Sequence, residues 1–151
     1  MIAAPQSESL IVDANLFVPL VLEEPGSDFV DAFLFERHRT DRLLAPSILA
    51  SEAAAAITKK LRRRQISRQS AESAFQSLRQ ALAEGTFELL PANDLLDPAF
   101  YLSLKLHHPL HDCLYLAAAQ TLNVAFATRD KILAAKALSA GIETELVAGP
   151  A

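Results

Sequence analysis

Five short apolar runs recur along the chain, and stretches with helical spacing separate each from the next. The runs lie at 10–13, 43–45, 87–90, 124–127 and 142–147. The first, Leu10-Ile11-Val12, has two β-branched residues and runs straight into Asp13-Ala14-Asn15. A continuous apolar run of this length suits a strand buried on both faces, as in a parallel sheet. Strands alternating with helices throughout imply an α/β chain. The expected architecture is a three-layer α/β/α sandwich around a central, mostly parallel five-stranded sheet.

The intervening stretches carry the helical signals. Residues 16–22 predict a short helix, and Pro25-Gly26 breaks the chain after it. Ser27 then caps a helix to about Arg37, with Phe29, Val30, Phe33 and Leu34 on one face. Pro46-Ser47 opens a helix reaching Arg64, with the stripe Leu49, Ala53, Ala56, Ile57 and Leu61. Ser67 caps a helix to about Glu84, and Gly85 ends it. Asn93 or Asp94 caps a helix to about His107, Pro109 opens another, and the last follows Thr128-Arg129-Asp130.

The length, 151 residues, suits one domain, here 10–151 behind a flexible leader at 1–9. No apolar stretch reaches the roughly 20 residues needed to span a bilayer. Residues 1–9 lack the basic start and apolar segment of a signal peptide. The lone Cys113 excludes an internal disulfide and fits a reducing compartment, so a cytoplasmic protein with no membrane association is expected. A net charge of -4 argues against a general nucleic-acid coat. It leaves room for a nucleic-acid substrate bound by a local basic patch.

Four acids break local rules in the same way. Asp13 and Asp130 end predicted strands. Glu52 points with the buried stripe of its helix, three residues after Leu49 and four before Ala56. Asp112 shares a face with Tyr115, Leu116 and Ala119 in the first turn of an alanine-rich helix. In a parallel sheet, strand ends and the helix starts that follow them gather at one edge. One cleft there can hold all four. The ordinary alternatives are that Asp13 or Asn15 caps the next helix, and that Glu52 reaches past alanines to water. Four close carboxylates repel by several kcal/mol per pair at the effective dielectric of a protein surface, and a hard divalent cation relieves that repulsion. With 4 glycines in the whole chain, no glycine-rich phosphate loop is present.

These residues carry a resemblance to PIN-domain ribonucleases, and among them to the VapC toxins of bacterial VapBC toxin–antitoxin pairs. It runs from Leu10 to about Val147. An apolar strand ending in Asp with a small polar residue two places on matches Ile11-Val12-Asp13-Ala14-Asn15. An acid on an early helix matches Glu52 in Pro46-Ser47-Ile48-Leu49-Ala50-Ser51-Glu52. An Asp opening an alanine-rich helix matches His111-Asp112-Cys113-Leu114-Tyr115, and a Thr-x-Asp after a strand matches Thr128-Arg129-Asp130. The resemblance implies an endoribonuclease dependent on Mg²⁺ or Mn²⁺, homodimeric, and inhibited by a cognate VapB-type antitoxin. Asp13, Glu52, Asp112 and Asp130 would then carry the metal and the catalysis. Asn15 and Thr128 would orient carboxylates or water through hydrogen bonds. The implied reaction is hydrolysis of RNA by metal-activated water, leaving a 5′-phosphate and a 3′-hydroxyl. Two departures stand out. His111 occupies a place where an aromatic residue is frequent, and no further acid follows closely after Asp130.

Other readings of the same residues are weaker. His107, His108 and His111 beside Asp112 suggest a metal-dependent phosphohydrolase, but that fold is all-helical. Asp13 suits a phosphoacceptor aspartate, yet the paired acids such proteins need are missing. A housekeeping RNA-processing nuclease and a non-catalytic PIN-fold binding module remain as alternatives. The basic run Lys59-Lys60-Leu61-Arg62-Arg63-Arg64 complements a helix C-terminus. Its second reading is a phosphate grip, with Arg62, Arg63 and Arg64, together with His111, contacting RNA.

Overall fold

The computed structural model describes residues 8–147. Except for Glu8 and Ser9, the expected leader lies outside the described residues, as does the tail at 148–151. Five strands form one sheet in the order β3-β2-β1-β4-β5, and every pairing is parallel. They are β1 (Glu8–Val12), β2 (Asp41–Pro46), β3 (Glu88–Leu90), β4 (Ala125–Thr128) and β5 (Thr144–Leu146). Helices α1 (Ala14–Val21) and α2 (Ser27–His38) join β1 to β2, and α3 (Leu49–Arg62) and α4 (Arg68–Ala83) join β2 to β3. A 3-10 turn (Ala92–Leu95), α5 (Leu96–Leu106) and α6 (Leu110–Leu122) lead to β4, and α7 (Lys131–Ser139) leads to β5. The α/β/α arrangement expected from the sequence is the one observed, with a fully parallel sheet.

The order of strands explains the layers. The chain builds outward from β1 to β3, then crosses back over β1 to β4 and continues to β5. Parallel crossovers are right-handed, so reversing direction puts α1–α4 on one face and α5–α7 on the other. Covered on both sides, β1 buries Leu10, Ile11 and Val12 completely, which is why it reads as an unbroken apolar run. Helix α6 lies across β1, β2 and β4 with α5 at its back. Cys113 to Ala119 are therefore all buried, and three successive alanines let the helix approach closely. The reversal between β1 and β4 opens a crevice at their carboxyl ends, the usual place for a ligand in an open α/β sheet.

Several boundaries differ from the sequence reading. β2 runs through Pro46, which pairs with Leu90 of β3, and the expected helix start at Pro46-Ser47 falls instead at Leu49. Ser47 belongs to the strand–helix junction: its N–H donates to the Leu90 carbonyl and its hydroxyl accepts from the Ala92 N–H. Proline is tolerated there because it is the last residue of the strand. β1 starts at Glu8, taking in two residues assigned to the leader.

Candidate active site at the β1–β4 switch point

Asp13 stands at the N-cap of α1 but makes no side-chain cap bond. Its carboxylate turns across to β4, where the fully buried Thr128 hydroxyl donates to Oδ2 at 2.8 Å. Asn15 completes the link: its amide nitrogen donates to Thr128 Oγ1 at 3.2 Å, and its Oδ1 accepts from the Arg129 N–H at 3.2 Å. The ends of β1 and β4 are thus joined through side chains as well as through the ladder. Burial pushes the Asp13 carboxyl up to about 7; the charges of Asp112 and Glu52 add to this, and the Thr128 bond opposes it. Such a carboxyl is poised to ionise fully when a cation arrives.

The other three acids reach the same cleft from different elements. Glu52 lies in the first turn of α3 on the side of buried Leu49, Ala53 and Ile57, and its Oε1 accepts from the Tyr115 hydroxyl at 2.7 Å. Burial raises the Glu52 carboxyl above its usual range and Asp112 adds to that, while the Tyr115 bond and nearby His111 lower it. Burial and the charge of Glu52 hold the Tyr115 hydroxyl well above its ordinary range, so it acts as a donor. Asp112 opens α6, and its Oδ2 lies 2.8 Å from His108 Nε2 one turn earlier. Asp130 caps α7, with Oδ1 accepting from the N–H groups of Ile132 and Leu133 at 2.9 and 3.1 Å. In each of these three, hydrogen bonds within the protein engage one carboxylate oxygen only.

Asp13, Asn15, Glu52, Asp112 and Asp130 all line one cleft of about 680 Å³. Its other charged lining residues are Glu24, Lys59, Lys60, Arg63 and Arg129. Thr128 lies beneath as a buried strut. Of the basic run, the cleft takes in Lys59, Lys60 and Arg63; Arg62 and Arg64 are exposed and outside its lining. Helical spacing explains the sorting, since Glu52, Ala56, Lys59 and Arg63 follow one face of α3. Arg64 adopts left-handed backbone (φ 57°) where the helix ends. His111 is exposed and absent from the lining, though close enough to influence Glu52.

Among the described residues, no three His, Cys, Asp or Glu side chains are gathered tightly enough to form a ready-made metal cage. The donor set nonetheless suits a hard cation, being made of carboxylate oxygens only. Mg²⁺ characteristically keeps several waters and takes one or two carboxylates rather than an all-protein cage. The residues present therefore fit a hydrated Mg²⁺ or Mn²⁺.

A family model described as PIN domain matches residues 10–138. The chain belongs to the PIN domain family. Solved structures share its fold at low identity. PAE2754 from Pyrobaculum aerophilum is 19% identical with a TM-score of 0.62, covering 88% of this chain and 87% of that one. FitAcB from Neisseria gonorrhoeae is 16% identical with a TM-score of 0.63, covering 89% and 95%. VapBC2 from Rickettsia felis, bound to a DNA fragment from their promoter, is 14% identical with a TM-score of 0.62, covering 91% and 98%. Comparison with curated proteins found no match.

Several residues of this PIN cleft escaped the sequence reading. The sequence shows His108 only as part of a cluster with His107 and His111, although its spacing of four residues before Asp112, on a turn entering α6, is a usable signal. Tyr115 read only as a core residue. Glu24 and Arg129 gave no signal at all, because their pairing spans 105 residues of chain.

Proposed function

We propose that the protein is a metal-dependent endoribonuclease and the toxin component of a VapBC-like toxin–antitoxin pair. The observation that carries this reading is the meeting of Asp13, Glu52, Asp112 and Asp130 in one cleft at the switch point, from four elements far apart in sequence. Those four acids would hold Mg²⁺ or Mn²⁺, some directly and the rest through the waters the ion retains. A cation held there would neutralise the carboxylates, make a bound water nucleophilic near neutral pH and steady the phosphoryl oxygens. Thr128 and Asn15 fix Asp13, Tyr115 fixes Glu52, His108 fixes Asp112, and the amides of α7 fix Asp130. With its carboxylates locked in place beforehand, the site needs little reorganisation during reaction. Lys59 and Arg63 offer charge to the phosphates of a strand lying along α3.

The description of VapBC2 in the plural, bound to a DNA fragment from "their promoter", supports a protein partner for this chain. A VapB-type antitoxin and a homodimer are proposed on that basis and on the family resemblance. Among the described residues no helix is long and apolar enough to cross a membrane; a cytoplasmic location is proposed. The test is cleavage of a mixed single-stranded RNA pool by purified, partner-free protein. Cleavage with Mg²⁺ or Mn²⁺ that stops in excess EDTA and in Asp112→Asn supports the reading. Cleavage that persists in EDTA, or at the wild-type rate in the variant, refutes it. Growth arrest on overproduction, relieved by a co-expressed neighbouring gene, supports the toxin role; harmless overproduction of active protein favours a housekeeping nuclease.

A further inference from the structure

The cleft that holds the acids also holds four cations, and two of them, Lys60 and Arg129, pair with one glutamate. Glu24 lies between α1 and α2. Its Oε1 accepts from an Arg129 terminal nitrogen at 2.8 Å, and its Oε2 lies 3.1 Å from Lys60 Nζ. The three side chains are 18%, 26% and 26% exposed, so the triad is half-buried yet open to the cleft. The other terminal nitrogen of Arg129 donates to the Pro25 carbonyl at 2.9 Å. Gly26 stands against that nitrogen in left-handed backbone (φ 87°); a Cβ there would lie 3.0 Å away. The left-handed turn favours glycine, and a Cβ there would push the guanidinium end aside by a few tenths of an ångström.

This arrangement differs from a plain surface ion pair. Glu24 uses both oxygens on two cations, which holds them side by side. A guanidinium has five N–H donors and an ammonium three, so each cation keeps donors for something else. One carboxylate against two cations leaves a net positive charge at a fixed place. Arg129 is also flanked by Thr128 and Asp130 and held through its N–H by Asn15, so its position is tied to that of the acids.

We propose that Arg129 and Lys60, pinned by Glu24, form a phosphate subsite that seats the RNA backbone beside the four acids. The proposal rests on the nuclease reading and adds where the substrate is held. Arg129 and Lys60 contact the phosphate; Glu24 is a positioning residue acting through them.

The test uses full-length protein and a fluorescein-labelled single-stranded RNA of mixed sequence, with anisotropy read in EDTA across a salt titration. Arg129→Gln and Lys60→Gln should each weaken binding about tenfold. Each should also reduce the log–log salt slope by about 0.7, the value for one phosphate contact on a single strand. Glu24→Gln keeps an acceptor for Arg129 but presents an amide N–H to Lys60 and adds one net positive charge. With it, KM should fall while kcat drops about tenfold; a merely structural role would leave KM unchanged, and that result overturns the positioning assignment. If Arg129→Gln fails to fold, Lys60→Gln, on the flank of α3, decides alone. Wild-type affinity and slope in folded variants of an active enzyme overturn the subsite and leave the nuclease reading intact. Loss of binding to an acidic protein partner with RNA affinity unchanged overturns it likewise. A wild-type protein that neither binds nor cleaves RNA overturns both.

Discussion

Replacing Asp13 by Asn should make the metal-free protein more stable while abolishing its activity. The folded state holds the Asp13 proton far more tightly than the unfolded chain does, at about 7 against an ordinary 3.8. A raised acid pKa means the stabilising contribution is complete below the unfolded value and is lost as pH rises through the folded one. At about 1.4 kcal/mol per pH unit, the loss between those limits is roughly 4 kcal/mol at most. Asn keeps an acceptor for the Thr128 hydroxyl but carries no charge. Urea unfolding of both proteins in EDTA, from about pH 4.5 to 8, should give a stability gap that widens with pH in favour of Asp13→Asn. Burial of Asp13 is the main cause of the shift, so the gap should persist in high salt. A gap that stays constant across this range, or a variant less stable at pH 8, would refute the reasoning.

Three further outcomes follow from the same geometry. Tyr115→Phe removes the 2.7 Å bond to Glu52; it should cost about 1–2 kcal/mol in a thermal or urea melt and raise the Glu52 carboxyl further, seen by carboxylate NMR titration. Cys113 is buried, and burial with the charge of Asp112 pushes its thiol up to about 11; a thiol reagent at pH 8 should label it only after denaturation. Arg63→Ala should weaken RNA binding more than Arg62→Ala or Arg64→Ala, since Arg63 alone of the three lines the cleft; equal effects in a binding titration would count against a path along α3.

The fold was legible because burial on both faces leaves a plain mark. Leu10-Ile11-Val12 and Ala125-Phe126-Ala127 are continuous apolar runs for that reason. The four acids were legible as violations of pattern: Glu52 and Asp112 sit where a helix should be apolar. The capping alternative fails at Asp13, which occupies a cap position and spends its carboxylate on Thr128 instead. Asp130, for which the sequence suggests no cap, bonds two backbone N–H groups of α7. Boundary errors fall where tertiary pairing overrides local chemistry, as at Pro46, which looks like a helix start and ends a strand. The cationic wall was half legible. The run at 59–64 is obvious, but which of its members face the acids depends on the phase of α3 from Glu52 onward. Glu24 and Arg129 meet only because the turn before α2 folds against the end of β4, and no local pattern announces that.

The most direct measurement is a Mn²⁺ titration of the metal-free protein followed by the loss of the free-ion electron paramagnetic resonance signal. Saturable binding in the wild type, weakened at least tenfold in Asp13→Asn, Glu52→Gln, Asp112→Asn and Asp130→Asn, is the predicted result. Binding of equal strength in the variants, or none in a folded wild-type protein, would contradict the claim that these four acids together hold a cation.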